Sequence, residues 1–93
     1  MARFTTRVEL HDAKTWADYD KLHAAMRKQG FTQTIETKGK ITHLPSAEYN
    51  RIGTLTKEQV LESAKGAAAS TGHKFSVLVT ESSGRTWYNL PEE

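Results

Sequence analysis

Two histidines and an aspartate stand near the ends of what read as the first and last strands of this 93-residue chain: His11, Asp12 and His73. An imidazole titrates near neutrality, and a carboxylate beside it can orient the ring as a general base. Cleavage of RNA asks for little more: a base for the 2′-hydroxyl proton, an acid for the leaving oxygen and a cation for the charge on the phosphorane. Asp12 is also the candidate metal ligand, alone or paired across a dimer axis, because magnesium needs only one or two protein carboxylates beside phosphate oxygens. Arg3, Arg7, Lys74 and Arg85 could form an RNA-binding surface, with Trp87 or Tyr88 available to stack on bases. Each of these residues also has a plain structural use, as strand-end polar group, turn carboxylate, solvated cation or core aromatic.

Other chemistries leave no trace in the sequence. It contains no phosphate-binding glycine loop, no dinucleotide fingerprint, no serine-nucleophile motif and no metal-spaced Cys/His set. With 13 basic against 11 acidic residues, the net charge of +2 does not make a nucleic-acid binder by bulk electrostatics, so the placement of the cations decides. Mean hydropathy is −0.64, and no apolar run approaches the ~20 residues that cross a bilayer. The opening MARFTTRVELHD has no continuous apolar segment of the signal-peptide kind, so a cytoplasmic location is expected.

The elements that must position these residues follow from periodicity. Phe4, Thr6, Val8 and Leu10 alternate with Arg3, Thr5, Arg7 and Glu9, the pattern of a half-buried strand. Thr15 followed by Asp18 reads as a capping-box variant, and Trp16, Tyr19, Leu22 and Met26 recur at helical spacing until Gly30, predicting a helix over 15–29 with Trp16 and Tyr19 in its buried stripe. Residues 31–37 and 40–44 predict a hairpin across Lys38-Gly39. Pro45 interrupts the return, and residues 47–52 resume it. Thr56 with Gln59 is a capping box, and Val60, Leu61, Ala64, Ala67 and Ala68 make an apolar stripe ending at Gly72, a helix over 57–71. Residues 74–81 alternate again through Phe75, Val77 and Val79, and 85–90 predict a short extra strand.

This order predicts one α+β domain over 1–93: a ferredoxin-like β-α-β-β-α-β two-layer sandwich, with both helices on one face of an antiparallel sheet and a short extra C-terminal strand. A chain this short buries only roughly 60–65% of its unfolded surface, and without cysteine its stability rests on packing or on a homodimer. In such a topology the first and last core strands are neighbours. Matching their apolar parity allows a register with Leu10 opposite Phe75, which sets Asp12 opposite His73 at the same end of the sheet as His11.

The runs RVELHDA, YDKLHAAM, GFTQTI, HLPSAEYN, VLESAKGAAA with TG, and KFSVLVTES with GRTWYNL span nearly the whole chain. Together they resemble the GhoS group, the endoribonuclease antitoxins of type V toxin–antitoxin systems. The resemblance implies a ferredoxin-like fold related to the small CRISPR-associated nucleases, and cleavage of a toxin's single-stranded messenger RNA. It carries no catalytic motif over residue by residue, so the site rests on the register argument. The alternative is a non-enzymatic inhibitor, of the kind mobile elements and phages encode against host defences, that acts on a protein partner through its sheet face or edge. A third reading buries the sheet face in a homodimer.

Overall fold

The computed structural model describes residues 2–13, 15–37, 39–45, 47–84, 86 and 88–92. Its elements are β1 (Ala2–Leu10), α1 (Trp16–Lys28), β2 (Thr34–Thr37), β3 (Lys40–His43), β4 (Glu48–Gly53), α2 (Lys57–Ala69) and β5 (Phe75–Ser82). β1 is the centre of a three-stranded antiparallel sheet ordered β4-β1-β5, and β2 and β3 form a separate two-stranded antiparallel sheet.

The alternation of β1 sets the layers. Phe4, Thr6, Val8 and Leu10 are buried beneath the helices, together with Leu22 and Met26 of α1 and Val60, Ala64, Ala67 and Ala68 of α2. Phe75, Val77 and Val79 of β5 are half-buried against the same core. The alanine stripe of α2 lets the helix pack closely on the sheet, as a row of small side chains must. The pairing of β1 with β5 includes Leu10 opposite Phe75, the register allowed by parity.

Both helices are slightly shorter than their periodic patterns. α2 is opened by the expected box: Gln59 N–H donates to Thr56 Oγ1 (3.1 Å) and Thr56 N–H to Gln59 Oε1 (2.9 Å). α1 is closed at Gly30, whose φ of +89° suits glycine; Gly30 N–H reaches Arg27 C=O and Phe31 N–H reaches Met26 C=O, with Met26 and Phe31 both buried. A side chain at Gly30 would also press on Arg51 at 3.0 Å.

Several expectations need correction. Trp16 is 82% exposed, not part of the buried stripe. The Leu10 N–H donates to the Tyr19 hydroxyl (3.3 Å), so α1 comes level with the end of the core at Tyr19, and Trp16 lies about one turn beyond it with no sheet beneath. Thr15 makes no side-chain cap. The hairpin does not extend the main sheet as two full strands. Thr32 exchanges N–H and C=O with Asn50 of β4 (2.9 and 2.7 Å) before the chain turns off into β2. None of the described residues in 85–90 is in a strand, and the tail instead meets β3, where His43 N–H donates to Pro91 C=O (2.8 Å) and Thr42 bridges Glu92. The face of the sheet away from the helices is therefore not wholly open. Ile35, Leu44 and Leu90 approach it at Thr5 and Glu48, and Asn50 is 7% exposed.

Candidate functional site

The residues of β1 facing away from the helices run Arg3, Thr5, Arg7, Glu9, and the alternation carries on to His11. Hairpin and tail gather at Thr5, whereas Arg7 and Glu9 share a surface with Ser76 and Leu78 of β5, and Leu78 is 64% exposed. Beyond the strand ends the ladder continues for one step, His11 N–H to Lys74 C=O (2.7 Å), which puts Lys74 opposite His11. His11 Nε2 lies 2.8 Å from Ser76 Oγ, and which of the two donates depends on the imidazole tautomer. The uncovered half of the face thus holds an imidazole, a hydroxyl, the cations Arg7 and Lys74, the carboxylate of Glu9 and one exposed apolar side chain.

Three sequence-derived candidates are dispersed by the same alternation. His73 precedes Phe75 by two residues and so takes the helix-facing parity, opposite to that of His11. Its Nε2 pairs with Asp18 Oδ1 at 3.0 Å, both side chains about one-fifth exposed. At the start of α1 the Asp18 N–H donates to the Thr15 carbonyl (3.2 Å) and not to its hydroxyl, while the Asp18 carboxylate meets His73. Asp12 is exposed and has a φ of +62°, the left-handed turn by which the chain leaves β1. Among the described residues no group of three or more His, Cys, Asp or Glu side chains is gathered to hold a metal. The partners that the structure gives His11 and His73 are therefore Ser76 and Asp18, on opposite sides of the sheet.

Of the four candidate RNA-binding cations, Arg3, Arg7 and Lys74 are exposed. Arg3 sits at the far end of β1, beside Lys57, Glu81 and Ser83. Arg85 lies outside the described residues, as does Trp87, while Tyr88 is 91% exposed.

Two polar positions escaped the reading of the sequence. Ser76 carries no motif, and its signal is the parity it shares with Lys74 and Leu78. The second is a pair inside the fold: His23 Nδ1 lies 2.6 Å from the Tyr49 hydroxyl, with Tyr19 tilted against the imidazole and Phe31 edge-on to the Tyr49 ring. Burial lowers the His23 pKa below 6.5, with Asp20 acting in the opposite sense and Arg27 adding to the drop. Burial, reinforced by Tyr19, raises the Tyr49 hydroxyl well above its ordinary range. A neutral imidazole and a protonated phenol fit one hydrogen bond donated by the phenol.

Compared with models of known protein families and with curated proteins, the chain matches none.

Proposed function

We propose that this chain is an endoribonuclease of the antitoxin type that takes single-stranded RNA, a toxin's messenger in the GhoS-like reading, on the uncovered half of its sheet. The observation that carries the proposal is the gathering of His11, Ser76, Arg7 and Lys74 on one exposed face. His11 removes the proton of a ribose 2′-hydroxyl, the 2′-oxygen attacks the adjacent phosphorus, and the 5′-oxygen leaves with a proton taken from water. The products are a 2′,3′-cyclic phosphate and a free 5′-hydroxyl. Ser76 holds the imidazole in place, Arg7 and Lys74 meet the phosphorane charge, and Leu78 offers an apolar seat for a base. His73 has no part in this version of the site.

We read the architecture as ferredoxin-like. Adding Thr32 outside β4 supplies a fourth antiparallel position, giving the order β5-β1-β4-Thr32, and the two β-α-β crossings lay both helices on one face. In this reading the second strand of the motif is shortened to one bridge because its continuation is used in the β2–β3 hairpin.

The test is incubation of purified protein with mixed-sequence single-stranded RNA, with magnesium or with EDTA, beside His11→Ala and His73→Ala. The expected result is cleavage that falls by about 10²-fold or more in His11→Ala and persists in His73→Ala. Cleavage lost only in His73→Ala would move the site to the helix side, and absence of cleavage in every lane would sink the nuclease reading. Survival in EDTA separates acid–base from metal chemistry.

A further inference from the structure

β5 is an edge strand, and no described strand or bridge pairs with its outer side. The opposite border of the sheet is partly sealed, since β4 exchanges two hydrogen bonds with Thr32. The tail that follows β5 could have folded back along it, but it runs the other way: Leu90 lies by Thr5 and Ile35, and Pro91 meets His43. Proteins blunt such edges with proline, lysine, bulges or very short strands. β5 is eight residues long, FSVLVTES, with neither proline nor lysine in it.

The register tells which groups are unpaired. His11 and Lys74 are a hydrogen-bonded pair, and bonded and non-bonded pairs alternate in an antiparallel ladder, so the even-numbered residues of β5 turn their N–H and C=O toward β1. Phe75, Val77, Val79 and Glu81 turn theirs outward. The same four carry helix-facing side chains, and the three apolar ones are only half-buried at the border of the core.

We propose that a second copy of this chain covers this edge, its β5 antiparallel to the first about a two-fold axis at Val77. In that register Val77 faces the partner's Val77 and Phe75 faces the partner's Val79. Every apolar side chain at the border meets another, completing the core of both copies along a continuous six-stranded sheet. At each end Glu81 lies opposite the partner's His73, whose imidazole already meets Asp18 of its own chain, so the apolar pairs carry the match. A shift of two residues sets Phe75 against the partner's Glu81 in one direction and Val79 against the partner's His73 in the other, so either breaks the apolar pairing. The axis passes through the plane of the sheet, so both copies keep their helices on one side and the faces bearing His11 on the other.

Sedimentation velocity over a concentration series, with amide hydrogen exchange on the same samples, tests this in the intact chain. The expected result is a monomer–dimer equilibrium in which the amides of Phe75, Val77 and Val79 exchange freely in dilute protein. At a protomer concentration about ten times the dissociation constant, where roughly a fifth of the protomers remain monomeric, they slow about fivefold, while those of Leu78 and Thr80, already bonded to β1, stay protected throughout. Val77→Pro, which removes an N–H that β1 does not use, abolishes the dimer while circular dichroism reports a folded chain. Mass that stays monomeric at every concentration overturns the proposal. So does a dimer in which the odd-numbered amides remain fast, and so does a foreign protein that protects these amides while the chain alone stays monomeric.

Discussion

His23 and Tyr49 lie 26 positions apart, and each has an unremarkable neighbourhood in the sequence, yet together they make a titratable contact against the core. The unfolded chain protonates His23 near 6.5, whereas the folded chain does so lower because burial disfavours the imidazolium. Between those two values the unfolded state binds more protons, so stability falls as pH drops below 6.5 and levels off once the folded-state group is also protonated. Above 6.5 this contribution is fully present. Thermal melting as a function of pH, compared with His23→Asn, checks it: the variant loses this part of the acid slope. Thr6 makes a second residue-scale prediction. It is fully buried opposite Tyr49 and Val79, and its hydroxyl has no partner among the described residues. Thr6→Val keeps the shape and removes the orphan, so it should stabilise the fold by roughly 1 kcal/mol in denaturant titration. Strand parity predicted that residue 6 faces inward, but no local signal could say that its hydroxyl would find no acceptor there.

The two helices show how far local rules reach. Thr56-x-x-Gln59 and Thr15-x-x-Asp18 look alike as helix starts, and only the first makes its reciprocal bonds. Gln59 reaches back to the Thr56 backbone N–H. Asp18 meets His73, brought to it by the turn before β5. Thr56→Ala is therefore expected to cost about 1 kcal/mol, and Thr15→Ala no more than a few tenths by the same scale, measured side by side by chemical denaturation. Trp16 is a similar case. Its helical spacing with Tyr19 was real, but periodicity says which side of a helix a residue lies on, not whether the sheet extends beneath it.

For the molecule as a whole, pattern alone determined the order strand, helix, hairpin, helix, strand, the inward residues of β1 and β5, both helices within two residues at each end, and the capping box of α2, and it allowed the register of Leu10 against Phe75. These are consequences of short-range sterics and of burying one side of each element, and both are written locally. Tertiary structure decided what lies across long separations. The chain uses Thr32 as a single bridge and turns its hairpin into a separate sheet, and the tail pairs at single points with β3 instead of forming a strand. Long-range pairing of this kind depends on competing partners that a local window cannot weigh. The candidate site divides along the same line. Parity alone puts His11, Lys74 and Ser76 on one face and His73 on the other, but the partners of the two rings, Ser76 and Asp18, come from elements that only folding brings near, because a hydrogen bond requires a distance and the sequence supplies only a side of the sheet.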